Sequence, residues 1–180
     1  TPRFDQDLKG DILLIGNNTL NRRTNSTSPN DPFNGTSQNG GRNMQFIDID
    51  SDTGTFNSSS ADLTIPSASS SCYRIRYAGL YWAGILQSND RTGINNVKLK
   101  LPGSSTYTNI TGTIIHDDPN NPIGGDKSKA YACYYDITSL VTGLANPQGT
   151  YTVANVLSST GSNGSTGLSA GWSIFIVYED

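Results

Sequence analysis

The stretch Cys72-Tyr-Arg-Ile-Arg-Tyr-Ala-Gly-Leu-Tyr-Trp-Ala-Gly-Ile-Leu86 decides the fold. In its first half Tyr73, Ile75 and Tyr77 alternate with Arg74, Arg76 and Ala78. That two-residue period is the mark of a strand with one face in a core and one in water. From Ala78 to Gly84 both phases are apolar or small, so the strand runs on into a region covered on both sides. A strand that passes from half buried to wholly buried belongs in the middle of a sheet packed against another sheet.

Working outward, Val97, Leu99 and Leu101 alternate with Lys98 and Lys100, again a strand with one wet face. Further short apolar runs fall at 11–15, 44–50, 61–65, 107–115, 131–141, 151–157 and 172–178, separated by Gly, Asn, Pro and Ser. About nine strands at this spacing predict a single all-β domain over residues 1–180, an antiparallel β-sandwich of jelly-roll type. Residues 1–10 read as a polar arm. Residues 17–42, almost entirely Asn, Ser, Thr, Gly, Asp, Pro and Arg, read as a long irregular loop.

Composition narrows the function classes. Ser, Thr and Asn number 22, 19 and 18, which is 59 of 180 residues, while charged residues are only 15%. An average soluble domain carries roughly 25% charge, so the solvent face here is hydroxyl and amide. Twelve Lys and Arg against fifteen Asp and Glu give a net charge of −3 with no basic stripe, which argues against nucleic acid. No apolar run approaches the roughly 18 residues that a membrane helix needs. The opening Thr1-Pro-Arg-Phe4 lacks an apolar signal region, so the expectation is a processed or excised piece of a longer, extracellular polypeptide.

The two cysteines, Cys72 and Cys133, have no Cys or His partners at zinc spacing. Either they form a disulfide closing a loop of about 60 residues, worth on the order of 4 kcal/mol, or they are unrelated buried thiols. The polar, Glu-poor composition favours the disulfide.

Four patterns could carry chemistry. Gly167-Leu-Ser169-Ala-Gly171 matches the G-x-S-x-G of hydrolases. That motif needs a strand before the serine, a helix after it and a later histidine, whereas the one histidine, His116, lies upstream. A turn leading into a strand explains Ser169 better, and any carboxylate pair for glycoside chemistry stays unspecified. Asp48, Asp50 and Asp52, followed by Gly54 and completed from a neighbouring strand by Asp62, form a candidate calcium set. The competing reading is an acidic strand end facing water. Tyr81, Trp82 and Trp172 are candidate sugar-stacking rings, because neighbouring strand residues face opposite ways.

Several of these segments occur together in a recognisable order: Lys9-Gly-Asp-Ile-Leu-Leu-Ile-Gly-Asn17, Ala78-Gly-Leu-Tyr-Trp-Ala-Gly84, Tyr135-Asp-Ile-Thr-Ser-Leu-Val141, Gly149-Thr-Tyr-Thr-Val-Ala-Asn155 and Gly171-Trp-Ser-Ile-Phe-Ile-Val-Tyr-Glu-Asp180. Over nearly the whole chain they resemble an N-terminal domain of very large bacterial surface proteins, including SprB-like gliding-motility adhesins exported by the type IX secretion system. The resemblance implies a cell-surface adhesion module without catalytic residues. Its partners would be the rest of a long polypeptide and the outer-membrane motility machinery. The amide- and hydroxyl-rich surface adds the expectation of weak, repeated contacts to polysaccharide.

Overall fold

The computed structural model describes residues 2–23, 28–31, 38–66, 72–120, 129–164 and 166–180. Along them run β1 (Gly10–Asn18), β2 (Leu20–Arg22), β3 (Met44–Phe46), β4 (Ser58–Leu63), β5 (Arg74–Ile85), β6 (Asn96–Lys100), β7 (Thr108–Thr111), β8 (Thr113–Asp117) and β9 (Ala130–Asp136). A short helix α1 (Thr138–Thr142) follows, then β10 (Gly149–Ala154) and β11 (Ala170–Glu179). A five-stranded sheet, β1-β11-β5-β9-β8, packs on a four-stranded sheet, β4-β10-β6-β7, and β2 with β3 makes a separate ribbon. The ladders within all three are antiparallel. The expected all-β sandwich is the observed fold.

Its topology follows from nested pairs. β6 pairs with β7, β5 with β9, β4 with β10 and β1 with β11, and successive pairs alternate between the two sheets. A single long hairpin rolled across itself gives this order, which is that of a jelly roll. β5, the decisive stretch of the sequence, is the central strand of the larger sheet.

The core forms where the in-phase residues of the two sheets meet: Leu80, Trp82, Ile174 and Ile176 from one, Leu99, Ile110 and Val153 from the other. Both tryptophans are interior. Trp82 is 1% exposed and donates from Nε1 to the Ile94 carbonyl at 2.8 Å; Trp172 is 5% exposed and donates to Ser59 Oγ at 2.9 Å. With their N–H groups satisfied inside, these rings act as core filling.

Three boundaries differ from expectation for local reasons. The run 107–115 is two strands in different sheets, divided at Gly112. A Cβ there would lie 2.3 Å from Trp82 Cη2 and 2.7 Å from the Tyr134 carbonyl oxygen, so only glycine lets the backbone cross the tryptophan. The run 131–141 leaves the sheet at Ile137, where the Asp136 carboxylate accepts the Thr138 N–H at 2.8 Å and α1 begins. Finally, Asn17 and Asn18 do not turn. They extend β1 opposite Trp172 and Gly171, and Asn17 Nδ2 donates across to the Ser60 carbonyl at 2.8 Å.

The long polar loop contains regular structure: it holds the end of β1 and all of β2, and buried Arg22 bonds Asn39. Its residues 24–27 and 32–37 lie outside the described residues.

The cysteines are a correction. Both are free thiols, Cys133 buried and Cys72 exposed. Cys133 pairs in register with Trp82, eight positions along β5 from its start at Arg74, so roughly 26 Å at the strand rise separates that row from Cys72's end of the strand. A disulfide requires Cα atoms within about 7 Å.

Candidate functional site

The predicted calcium residues do not converge. Asp48 Oδ1 accepts from Ser58 Oγ at 2.9 Å, Asp52 Oδ1 from the Gly54 amide at 2.8 Å, and Asp62 Oδ1 from Thr150 Oγ1 at 2.6 Å. Asp50 accepts from the Asp52 amide and from Thr55 Oγ1, each at 2.9 Å, and from the Tyr107 hydroxyl. Carboxylates two residues apart in a loop bond the backbone amides just ahead of them, so these shape their own turn. Among the described residues no three His, Cys, Asp or Glu side chains are placed to hold a metal. Burial works against the charge on Asp50, but hydrogen bonds from Tyr107, the Asp52 amide, Thr55 and Ser58 outweigh it and hold the carboxyl below its ordinary 3.8. Burial first, and then the Asp50 carboxylate, raise the Tyr107 hydroxyl.

Ser169 also stands apart from His116. His116, Ala132, Ala83 and Gly171 share one row across β8, β9, β5 and β11, so three strand spacings, roughly 14 Å, part the histidine from the start of β11. Strand β11 follows Ser169, as the sequence suggested, and the Ser169 carbonyl accepts from the Ile85 amide at 3.0 Å.

Of the three predicted stacking rings, Trp82 and Trp172 are excluded by burial, while Tyr81 lies on the outer face of the five-stranded sheet. The molecule therefore offers two outer faces of different chemistry. The first, on the larger sheet, is apolar and aromatic. Ile12 and Leu14 of β1 and Phe175 of β11 are exposed there, with Tyr77, Tyr81 and Tyr134 beside them. Beyond Tyr81 a shallow groove of about 760 Å³ runs over the small residues Gly16, Ala83, Ala132, Gly171 and Ser173.

The second face, on the four-stranded sheet, is polar. Asn96 and Lys98 of β6 stand opposite Thr111 and Asn109 of β7. With Asn155 and Phe56 they line a pocket of about 440 Å³. Phe56 is 41% exposed and is backed by Phe46, ring centroids 5.4 Å apart. Asn155 fixes the Phe56 segment: its Oδ1 accepts the Phe56 amide at 2.9 Å and its Nδ2 donates to the Gly54 carbonyl at 3.2 Å. It does so from a left-handed backbone (φ 63°), which Asn tolerates better than most residues. Thr111 Oγ1 bonds Asn96 Oδ1 at 3.0 Å. One exposed ring among amide, hydroxyl and ammonium groups can stack on an apolar sugar face while bonding its hydroxyls.

None of these pocket residues was singled out by sequence reasoning. The Lys98/Lys100 alternation marks a wet face, but nothing local tells that Phe56, Asn109 and Asn155 meet it.

The fold and faces define a jelly-roll sandwich with a polar pocket on one side and an apolar platform on the other. Comparison of the chain with protein-family models, with characterised proteins and with solved structures finds no match. Among the described residues no helix is long and apolar enough to cross a membrane.

Proposed function

We propose that the chain is a non-catalytic recognition module of a cell-surface adhesin that contacts polysaccharide through the pocket around Phe56. The observation that carries this reading is the half-exposed Phe56 ring set among Asn96, Lys98, Asn109, Thr111 and Asn155. The strand sequences that resemble gliding-motility adhesins support the same assignment, together with display outside the cell as part of a longer polypeptide held by outer-membrane machinery. Contacts of this kind are individually weak and gain strength through repetition.

The test is a density-controlled array of immobilised polysaccharides probed with the chain and with Phe56→Ala. Binding that falls at least about tenfold in the variant, the loss expected when one stacking contact of about 1.4 kcal/mol disappears, supports the reading, provided the melting temperature holds. Equal binding by both chains, or none at high density, overturns it.

A further inference from the structure

On the apolar face, the polar arm at the start of the chain has a specific seat. Residues 2–8 form no strand, and among the described residues no backbone hydrogen bond ties them to the sheet; the first such bond runs from the Asp180 amide to the Lys9 carbonyl at 3.0 Å. Two side chains hold the arm down instead. The Arg3 guanidinium carbon lies 3.9 Å from the Tyr134 ring centroid and 6.0 Å from that of Tyr81. Phe4 stacks on Tyr77 with centroids 5.5 Å apart and planes 27° from parallel. One hydrogen bond, from Arg76 Nη2 to Gln6 Oε1 at 3.1 Å, adds to these.

The seat is built by the sheet. Tyr81 and Tyr134 are register partners on β5 and β9, with ring centroids 4.9 Å apart, and Phe175 meets Tyr81 edge-on at 5.6 Å. The Tyr77 hydroxyl bonds that of Tyr134 at 3.1 Å and lies 3.5 Å from that of Tyr81, so the three rings form one unit. Among the described residues no carboxylate pairs with Arg3, which leaves ring faces as its partners. A flat guanidinium stacks on such faces in a way the tetrahedral, strongly hydrated lysine head does not. The platform is also larger than its occupant: Ile12 and Leu14, on the same face, stay 59% and 58% exposed.

We propose that the Tyr77–Tyr81–Tyr134 cluster is a binding site for a peptide segment carrying an arginine beside an aromatic residue, which Arg3 and Phe4 fill in cis until a partner segment displaces them. The arm swings about Lys9–Gly10, where strand pairing begins. While it is seated, the apparent affinity for an outside segment is reduced by the fraction of molecules whose site is open. This site is independent of the Phe56 pocket on the opposite face, and either assignment can fail alone.

The test uses the full chain, the double variant Arg3→Ala/Phe4→Ala, and the latter with Tyr134→Leu added. The probe is a dye-labelled, end-capped peptide of the sequence Thr-Pro-Arg-Phe-Asp-Gln-Asp-Leu, compared with analogues carrying Lys or Ala in place of its arginine. The expected result is binding to the double variant about tenfold tighter than to the unaltered chain. The Lys and Ala peptides should bind progressively more weakly, and Tyr134→Leu should remove binding. Tyr81→Leu serves in place of Tyr134→Leu if circular dichroism shows the latter misfolded. In the unaltered chain the Arg3 side-chain protons should show ring-current shifts that Tyr134→Leu abolishes. Equal affinity for the unaltered and double-variant chains, indifference to the peptide's arginine, or unshifted Arg3 protons overturns the proposal.

Discussion

Cys133 is a thiol put out of use by its surroundings. Burial first, and the nearby Asp117 charge second, push its pKa up to about 12, so at neutral pH it has almost no thiolate to react. Its Sγ lies 3.4 Å from the Ile94 carbonyl, the acceptor that also takes the Trp82 N–H, so it sits inside the core beside Trp82. Cys72, at the mouth of β5, is exposed. Iodoacetamide at neutral pH is therefore expected to add one label to the native chain, at Cys72, and a second only in denaturant. Reductant should leave the melting temperature unchanged. Two labels on the native protein, or a melting point that falls with reductant, would contradict this arrangement.

The acidic loop between β3 and β4 shows how one element uses charge. Because the folded pKa of Asp50 is lowered, ionised Asp50 contributes stability that is fully present above the ordinary carboxylate value of 3.8. That contribution is lost as pH falls through the lowered folded pKa. Asp50→Asn is thus expected to lower the melting temperature at pH 7 and to flatten its decline in acid, read by calorimetry from pH 7 to pH 2. Since each carboxylate already has hydrogen-bond donors in the fold, a chelator is expected to leave the melting temperature where it was; a drop of several degrees would restore an ion to this loop.

The same element shows what could be read in advance. The alternation in 97–101 placed a strand and its core face. In 72–86, by contrast, a bulge between Ile75 and Tyr77 reverses the phase, so Ala78 rather than Tyr77 enters the core, and of 44–50 only Met44–Phe46 is strand. The turn at Asp50–Gly54 is tied by the Tyr107 hydroxyl, which donates to Asp50 from just before β7, and by Ser58 of β4, whose Oγ accepts the Asp50 amide. Likewise Trp82 and Trp172 carry no local sign of the Ile94 carbonyl and Ser59 hydroxyl that let them be buried. Gly112 is legible only once the Trp82 ring is known to pass beneath it. The polar pocket stayed hidden for the same reason: its residues come from separate segments that long-range pairing alone brings together.

At the scale of the molecule, the nested pairing puts the first and last strands side by side. Gly10 stands opposite Glu179 and Asn18 opposite Gly171, so both chain ends leave from one end of the β1·β11 pair. A load applied through both ends therefore unzips that pair one hydrogen bond at a time. A load applied through Asp180 against a ligand held on the four-stranded sheet pulls β11 lengthwise. It is then resisted at once by β1 on one side and β5 on the other. With Cys72→Ser to remove the exposed thiol, single-molecule stretching through the two termini is expected to need clearly less force than stretching between the N-terminus and a handle at Ser169→Cys, which loads the pair in shear. Equal forces would refute this. The roll is thus strong as the tip of a tether and weak as a link in a chain.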